Sequence, residues 1–161
     1  MYADRREAVS RVMQLIRDAF TGVTLADGIG LFQGQALDAY ADEPTQASVR
    51  SSDETIDWAR ISTQQLNECH SSLSFFDGKG MRFHLPAYLL ADLNGKLQQD
   101  IVFHLTYPAD QWERFALLNG EQRRAVEQFL VLHMSLLDKA SEGFERPLIE
   151  KAIAAFWCHS P

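Results

Sequence analysis

Four side chains have the types and spacing to make a small polar site: Asp77, Arg82, His84 and His104. Arginine, histidine and aspartate together can bind an anion or carry acid–base chemistry. The run Leu73-Ser-Phe-Phe76, Asp77-Gly-Lys-Gly80, Met81-Arg-Phe-His-Leu85 reads as a β-hairpin with Asp77 at its tip. A three-residue loop with Gly80 as a bulge places Leu73, Phe75, Met81, Phe83 and Leu85 on one buried face. Ser74, Phe76, Arg82 and His84 then share the other. Ile101 to Tyr107 alternates again and reads as a third strand. The 15 residues between Leu85 and Ile101 allow a right-handed parallel crossover, which would bring His104 to the face of His84. A plain polar sheet face explains the same residues, because Asp-Gly is a turn signal in its own right. Both readings stay open.

The cysteines point to less. Cys69-His70 and Cys158-His159 are matching pairs, and thiolate with imidazole binds zinc. Adjacent side chains diverge, however, and the two-to-four-residue spacing of metal ligands is missing, so no metal site is expected. Cys69 with a histidine and Asp77 could be assembled into a nucleophile, but a free thiol in a short helix is more simply a small core residue. His133 falls on the apolar stripe of the longest expected helix and reads as a core histidine. Trp58, Trp112 and Trp157 stand among apolar neighbours and read as core. The chain has no phosphate-cradling glycine loop, GxSxG elbow, HExxH or calcium loop. No cofactor and no catalytic residue is therefore expected, and whether the chain is an enzyme stays open.

The elements that would position these residues follow from apolar spacing and punctuation. Residues 4–20 make an amphipathic helix, with Asp4 as cap and Gly22 as stop. Leu31 to Tyr40 can form a second helix. Residues 41–55 are polar, contain Pro44, lack a period and read as a loop. Ile56, Trp58 and Ile61 return the chain to the core. Ser62 with Gln65 fits a capping box that opens a short helix through Glu68, buried by Leu66. Pro86 suits the first position of a helix over 87–93 that Gly95 ends. Residues 108–118 form a connector. Asn119 then caps the longest helix, 121–138, and a last helix follows Pro147. The expected fold class is α+β: mainly helical, with five or six helices packed on a two- or three-stranded sheet built around the hairpin.

Length and charge bound the rest. The 161 residues suit one globular domain, 1–161, large enough for a core without metal or disulfide. The net charge is −7, which disfavours nucleic acid, and the arginine pairs 5–6 and 123–124 are isolated. Residues 25–60 carry seven acids against Arg50 and Arg60, hence −5 of the −7. That segment could steer a basic partner or could serve as a solvated loop that aids solubility. No signal peptide and no apolar run of membrane length is legible, so a cytoplasmic protein with reduced thiols is expected. Its partner, if it has one, would be another protein. The oligomeric state is not legible.

The run Leu73–Tyr88, LSFFDGKGMRFHLPAY, resembles the central motif of a family of small bacterial proteins, a domain of unknown function. That motif has the form LSF-(L/F)-D-x-x-G-x-R-F-(Y/H)-LPAY. It is followed by an FHLT-like strand and an EQR helix start, matched here by Phe103-His104-Leu105-Thr106 and Glu121-Gln122-Arg123. Ala19-Phe20 and Trp58 are similar as well, so the likeness spans most of the chain. It implies a bacterial, cytoplasmic protein and carries no activity, substrate or catalytic residue. The expected function is a non-catalytic protein-interaction module of adaptor or immunity type. The alternative is a small enzyme or anion-binding protein using Asp77, Arg82 and His84.

Overall fold

The computed structural model describes residues 2–107, 112–159 and 161. Eight helices are present among them: α1 (Tyr2–Ala19), α2 (Leu31–Asp38), α3 (Glu43–Arg50), α4 (Thr63–Glu68), α5 (Gly78–Leu93), α6 (Ile101–Thr106), α7 (Gly120–Leu136) and α8 (Lys139–Ala152). Short 3-10 turns lie at Trp58–Arg60, Ser72–Ser74 and Trp112–Phe115, and a π-helical turn at Ile153–Trp157 follows α8. No strand occurs among the described residues. The expected α+β fold, with its hairpin, its third strand and its outer sheet face, is therefore overturned in favour of an all-helical one.

The hairpin fails for a definable reason. Asp77 does not turn a hairpin but caps α5: its Oδ1 accepts from Gly80 N at 2.8 Å and from Ile29 N at 3.0 Å. Side-chain capping by aspartate uses the same chemistry in turns and at helix starts, so the residue type does not separate them. The apolar alternation of Met81, Phe83 and Leu85 misleads because α5 is buried on nearly every side, with His84, Pro86, Ala87, Tyr88, Leu89 and Ala91 buried too. A helix without a polar face loses its 3.6-residue signature. Pro86 is not at the start but is the ninth residue of α5, where it can offer no N–H to the Arg82 carbonyl. Likewise Ile101–Thr106 is a helix, with Asp100 accepting from Phe103 N at 3.0 Å, and six residues are too few to display a period. The expected loop 41–55 contains α3, capped by Asp42 through Thr45 N at 2.9 Å with Pro44 in the first turn. A proline there costs no hydrogen bond.

The helix expected to follow Pro147 instead starts at Lys139 and contains that proline, and Trp112, expected in the core, is only half-buried. Several other expectations stand. Ser62 and Gln65 form the capping box of α4, with Leu66 buried, and Asn119 with Gln122 forms that of α7. Gly95 ends α5 at φ +69°, with its N–H donating to Asp92 O and that of Lys96 to Ala91 O, a pairing that needs the left-handed backbone glycine accepts. Trp58 is buried, but Ile56 is exposed. Residues 108–111 of the expected connector lie outside the described residues.

Chain contacts divide the molecule into two compact units. Unit 1 comprises Met1–Thr21, Asp100–Trp112 and Leu118–Pro161. In it α1 packs on α7, α6 on α8, and α7 on both α8 and the π-helical turn. Ile16, Phe129, Leu130, Ile149 and Trp157 are buried there, and Trp157 Nε1 donates to Leu105 O at 2.9 Å. The Arg123 guanidinium lies 4.3 Å from the centre of the Phe156 ring. His133 is only half-buried and meets Glu145 Oε2 at 3.1 Å, so it is a paired histidine at the rim and not a core one.

Unit 2 comprises Gly22–Gln99 and Glu113–Leu117. Here α2 packs on α3 and on the Ser72–Ser74 turn, while α5 packs on α4 and on the Trp58–Arg60 turn. Leu25, Leu66, Leu73, Phe83, Leu85 and Leu89 fill its core around α5. Every candidate site residue except His104 belongs to this unit.

Candidate functional site

The glycine-rich loop from Leu25 to Gly30 sets the geometry around the start of α5. Arg50 holds it, with Nε donating to Gly28 O at 3.2 Å and Nη2 to Ala26 O at 3.0 Å. Lys79 pairs with Asp27. Asp53, from the segment after α3, is 9% exposed and accepts from Phe32 N at 2.6 Å and Gln33 N at 3.3 Å. Burial pushes the Asp53 carboxyl above the ordinary aspartate range, and the amides of α2 pull against that shift. Any side chain at position 30 would collide with the Asp53 carboxylate, so only glycine lets the two approach. Ser72 Oγ donates to Leu31 O at 2.6 Å and is fully buried.

From this frame α5 runs into the core. Gly80 is the pivot: its N–H donates to Asp77 Oδ1 and its carbonyl accepts from His84 Nδ1 at 2.7 Å. A carbonyl oxygen can only accept, so Nδ1 carries the proton and Nε2 of the neutral ring presents a lone pair. His84 is fully buried and stacks on Phe76, with ring centres 4.2 Å apart and planes 5° apart. Burial, as the largest cause, brings its pKa down to about 4. One helical turn on, Tyr88 is also fully buried and meets the same Phe76 ring edge-on at 6.3 Å. Burial drives its hydroxyl pKa up, and the Cys69 thiol adds to that shift. Cys69 is 4% exposed, and burial first, then Asp53 and Glu68, raise its pKa to about 11.

Nε2 of His84, the hydroxyl of Tyr88 and Nε of Arg82 are buried and have no hydrogen-bond partner. A buried polar atom left unpaired is costly and uncommon in native proteins. Arg114 shows the usual solution, donating Nη2 to Leu73 O. The structure thus brings Asp77 and His84 together through Gly80 and sets Arg82 on the same helix. His104 lies on α6 in unit 1 and belongs to a different cluster, edge-on to Phe103 at 5.7 Å. Among the described residues no three of His, Cys, Asp and Glu converge as a metal site requires. Sequence reasoning missed Asp53, Arg50 and Tyr88. Asp53 and Arg50 sit in a polar stretch that reads as solvated loop charge, and Tyr88 lies within an apolar run. The one signal that could have found Tyr88 is its four-residue spacing from His84.

These features define a helical protein whose conspicuous polar residues pin a glycine-rich loop to a buried helix. Residues 8–160 match the family of unknown function DUF6714, and the chain belongs to it. No curated protein and no solved structure matches the chain. No helix among the described residues is long and apolar enough to cross a membrane.

Proposed function

We propose that the chain is a non-catalytic protein-interaction module of the bacterial cytoplasm, working as one folding domain over residues 1–161. The observation that carries the reading is an apolar surface in unit 1. Phe103, Phe144 and Leu148 line a hollow of about 150 Å³ between α6 and α8, with Asp100 and Glu145 beside it. Tyr107 extends the patch, stacked on Phe103 at 5.2 Å. These four side chains are 50%, 73%, 41% and 58% exposed in the order Phe103, Phe144, Leu148, Tyr107. Contiguous exposed aromatics of this kind suit a protein contact better than water. The two carboxylates favour a partner that flanks its apolar anchors with lysine or arginine.

Affinity capture from the native host with wild type and with the Phe103→Ser, Phe144→Ser double variant tests this. At least one protein should be held by wild type and lost by the variant, and should re-form a complex from purified components. Equal capture by both, or no complex on reconstitution, refutes it.

A second reading, a small anion-binding protein using Asp77, Arg82 and His84, is favoured by the buried and unpaired Nε of Arg82 on α5. Inorganic phosphate should then raise the melting temperature of wild type and not of Arg82→Ala. No shift at millimolar phosphate removes it.

A further inference from the structure

The core of unit 2 holds two polar atoms that the proposed surface contact does not involve. His84 and Tyr88 stand four residues apart on α5, so their side chains share one face of the helix. Both residues are 0% exposed. Both also lie against one ring. Phe76 stacks flat on His84 and meets Tyr88 edge-on, while Phe83 meets His84 edge-on at 5.0 Å.

The hydrogen-bonding chemistry of the pair is fixed by its surroundings. The Gly80 carbonyl takes the Nδ1 proton of His84, so Nε2 can only accept. The Tyr88 hydroxyl donates one bond and can accept another, and burial keeps it protonated. A donor and an acceptor on successive turns are complementary, yet they do not bond each other, and neither meets another group among the described residues. The buried Cys69 thiol is close enough to act on the Tyr88 hydroxyl and offers a weak third partner. Between His84 and Tyr88 stands Pro86, where α5 forgoes a backbone hydrogen bond.

We infer that one buried water molecule bridges the two side chains, accepting from the Tyr88 hydroxyl and donating to His84 Nε2, as a fixed part of the unit 2 core. The occupant must accept at one end and donate at the other, which water does. It must also be small, because both ends are closed to solvent. A metal ion at Nε2 would need anionic ligands, but burial holds both the Tyr88 hydroxyl and the Cys69 thiol protonated. A polar interior site with two or three partners is the setting in which proteins retain water. The bridge ties two turns of α5 together across the proline.

A crystal structure of the full chain at about 1.5 Å resolution tests this directly. It should show one ordered oxygen about 2.6–3.2 Å from both His84 Nε2 and Tyr88 Oη. In solution, oxygen-17 relaxation dispersion counts the waters held for longer than nanoseconds, and the His84→Phe, Tyr88→Phe double variant should hold one fewer than wild type. Each single substitution leaves the other end and the water short of a partner, so each should lower the melting temperature by about 2–6 °C. The double variant should lose less than the two losses combined. A direct bond between the hydroxyl and Nε2, a protein group bonded to either atom, or a site without density would each overturn the inference. So would an equal water count in the double variant, or strictly additive losses. Should that variant fail to fold, the imidazole ¹⁵N shifts of wild type still decide: a proton on Nε2 in place of Nδ1 rules out the bridge as drawn.

Discussion

His84 makes acid a specific hazard for this protein. Its ring is sealed against Phe76, and its pKa falls from the ordinary 6.5 to about 4. Above pH 6.5 the ring is neutral in both folded and unfolded chains and contributes no pH dependence. Below 6.5 the unfolded chain takes up a proton that the folded chain refuses, so stability falls until about pH 4, where the folded ring protonates too. The loss over that window should be roughly 3 kcal/mol. Urea unfolding at pH 7, 5.5 and 4.5 measures it, and His84→Phe should flatten the slope in that window. An unchanged slope in the variant would place the acid sensitivity elsewhere. The two thiols should also separate cleanly. Cys69 is buried and held protonated, whereas Cys158 is exposed. Iodoacetamide on the native protein should label Cys158 and spare Cys69 until urea is added, as peptide mass mapping would report.

At the scale of elements, two capping carboxylates connect segments distant in sequence. Asp77 satisfies the first turn of α5 and also Ile29, 48 residues away. Asp77→Ala should cost about 1–2 kcal/mol, the upper range for a lost cap, since a second amide is released with the first. Asp77→Asn should recover most of it, because the amide oxygen still accepts. Equilibrium urea unfolding of both variants decides whether Asp77 acts as a cap; equal losses would show that its charge matters more than its acceptor. Gly30→Ala forces a methyl group into the Asp53 carboxylate. It should destabilise by about 1–3 kcal/mol, as overpacking does, and adding Asp53→Ala should cost less than the separate losses combined. Thermal melts of the cycle would show full additivity if the two residues did not meet.

For the whole molecule, the chain passes between its two units four times, and each unit is built from separated segments. Neither is a continuous piece that could be cut away. Thermal unfolding should therefore show one transition by far-ultraviolet circular dichroism and by tryptophan fluorescence, since Trp58 lies in unit 2 and Trp112 and Trp157 in unit 1. Two separated midpoints would mean that the units are independent domains. The net charge of −7 is also unevenly shared, with most of the excess carboxylate on unit 2 and an arginine-rich helix on unit 1. That division was half visible beforehand as the acidic stretch 25–60.

What the residues determined by themselves is local and chemical. Ser62 with Gln65, Asn119 and Gly95 marked helix ends, because capping depends on side chains within three or four positions of the backbone they satisfy. Family membership was likewise legible, in the run from Leu73 to Tyr88, and so was the burial of Met81 and Phe83. Tertiary structure alone decided that α5 and α6 are helices, because enclosure on all sides, or a length of six residues, erases the periodicity that distinguishes helix from strand. It alone turned Asp77 from a hairpin tip into a link between two segments, sealed His84 away from bulk solvent and left Tyr40 outside. Which side of an element meets solvent depends on what the rest of the chain packs against it, and nothing local to these residues encodes that.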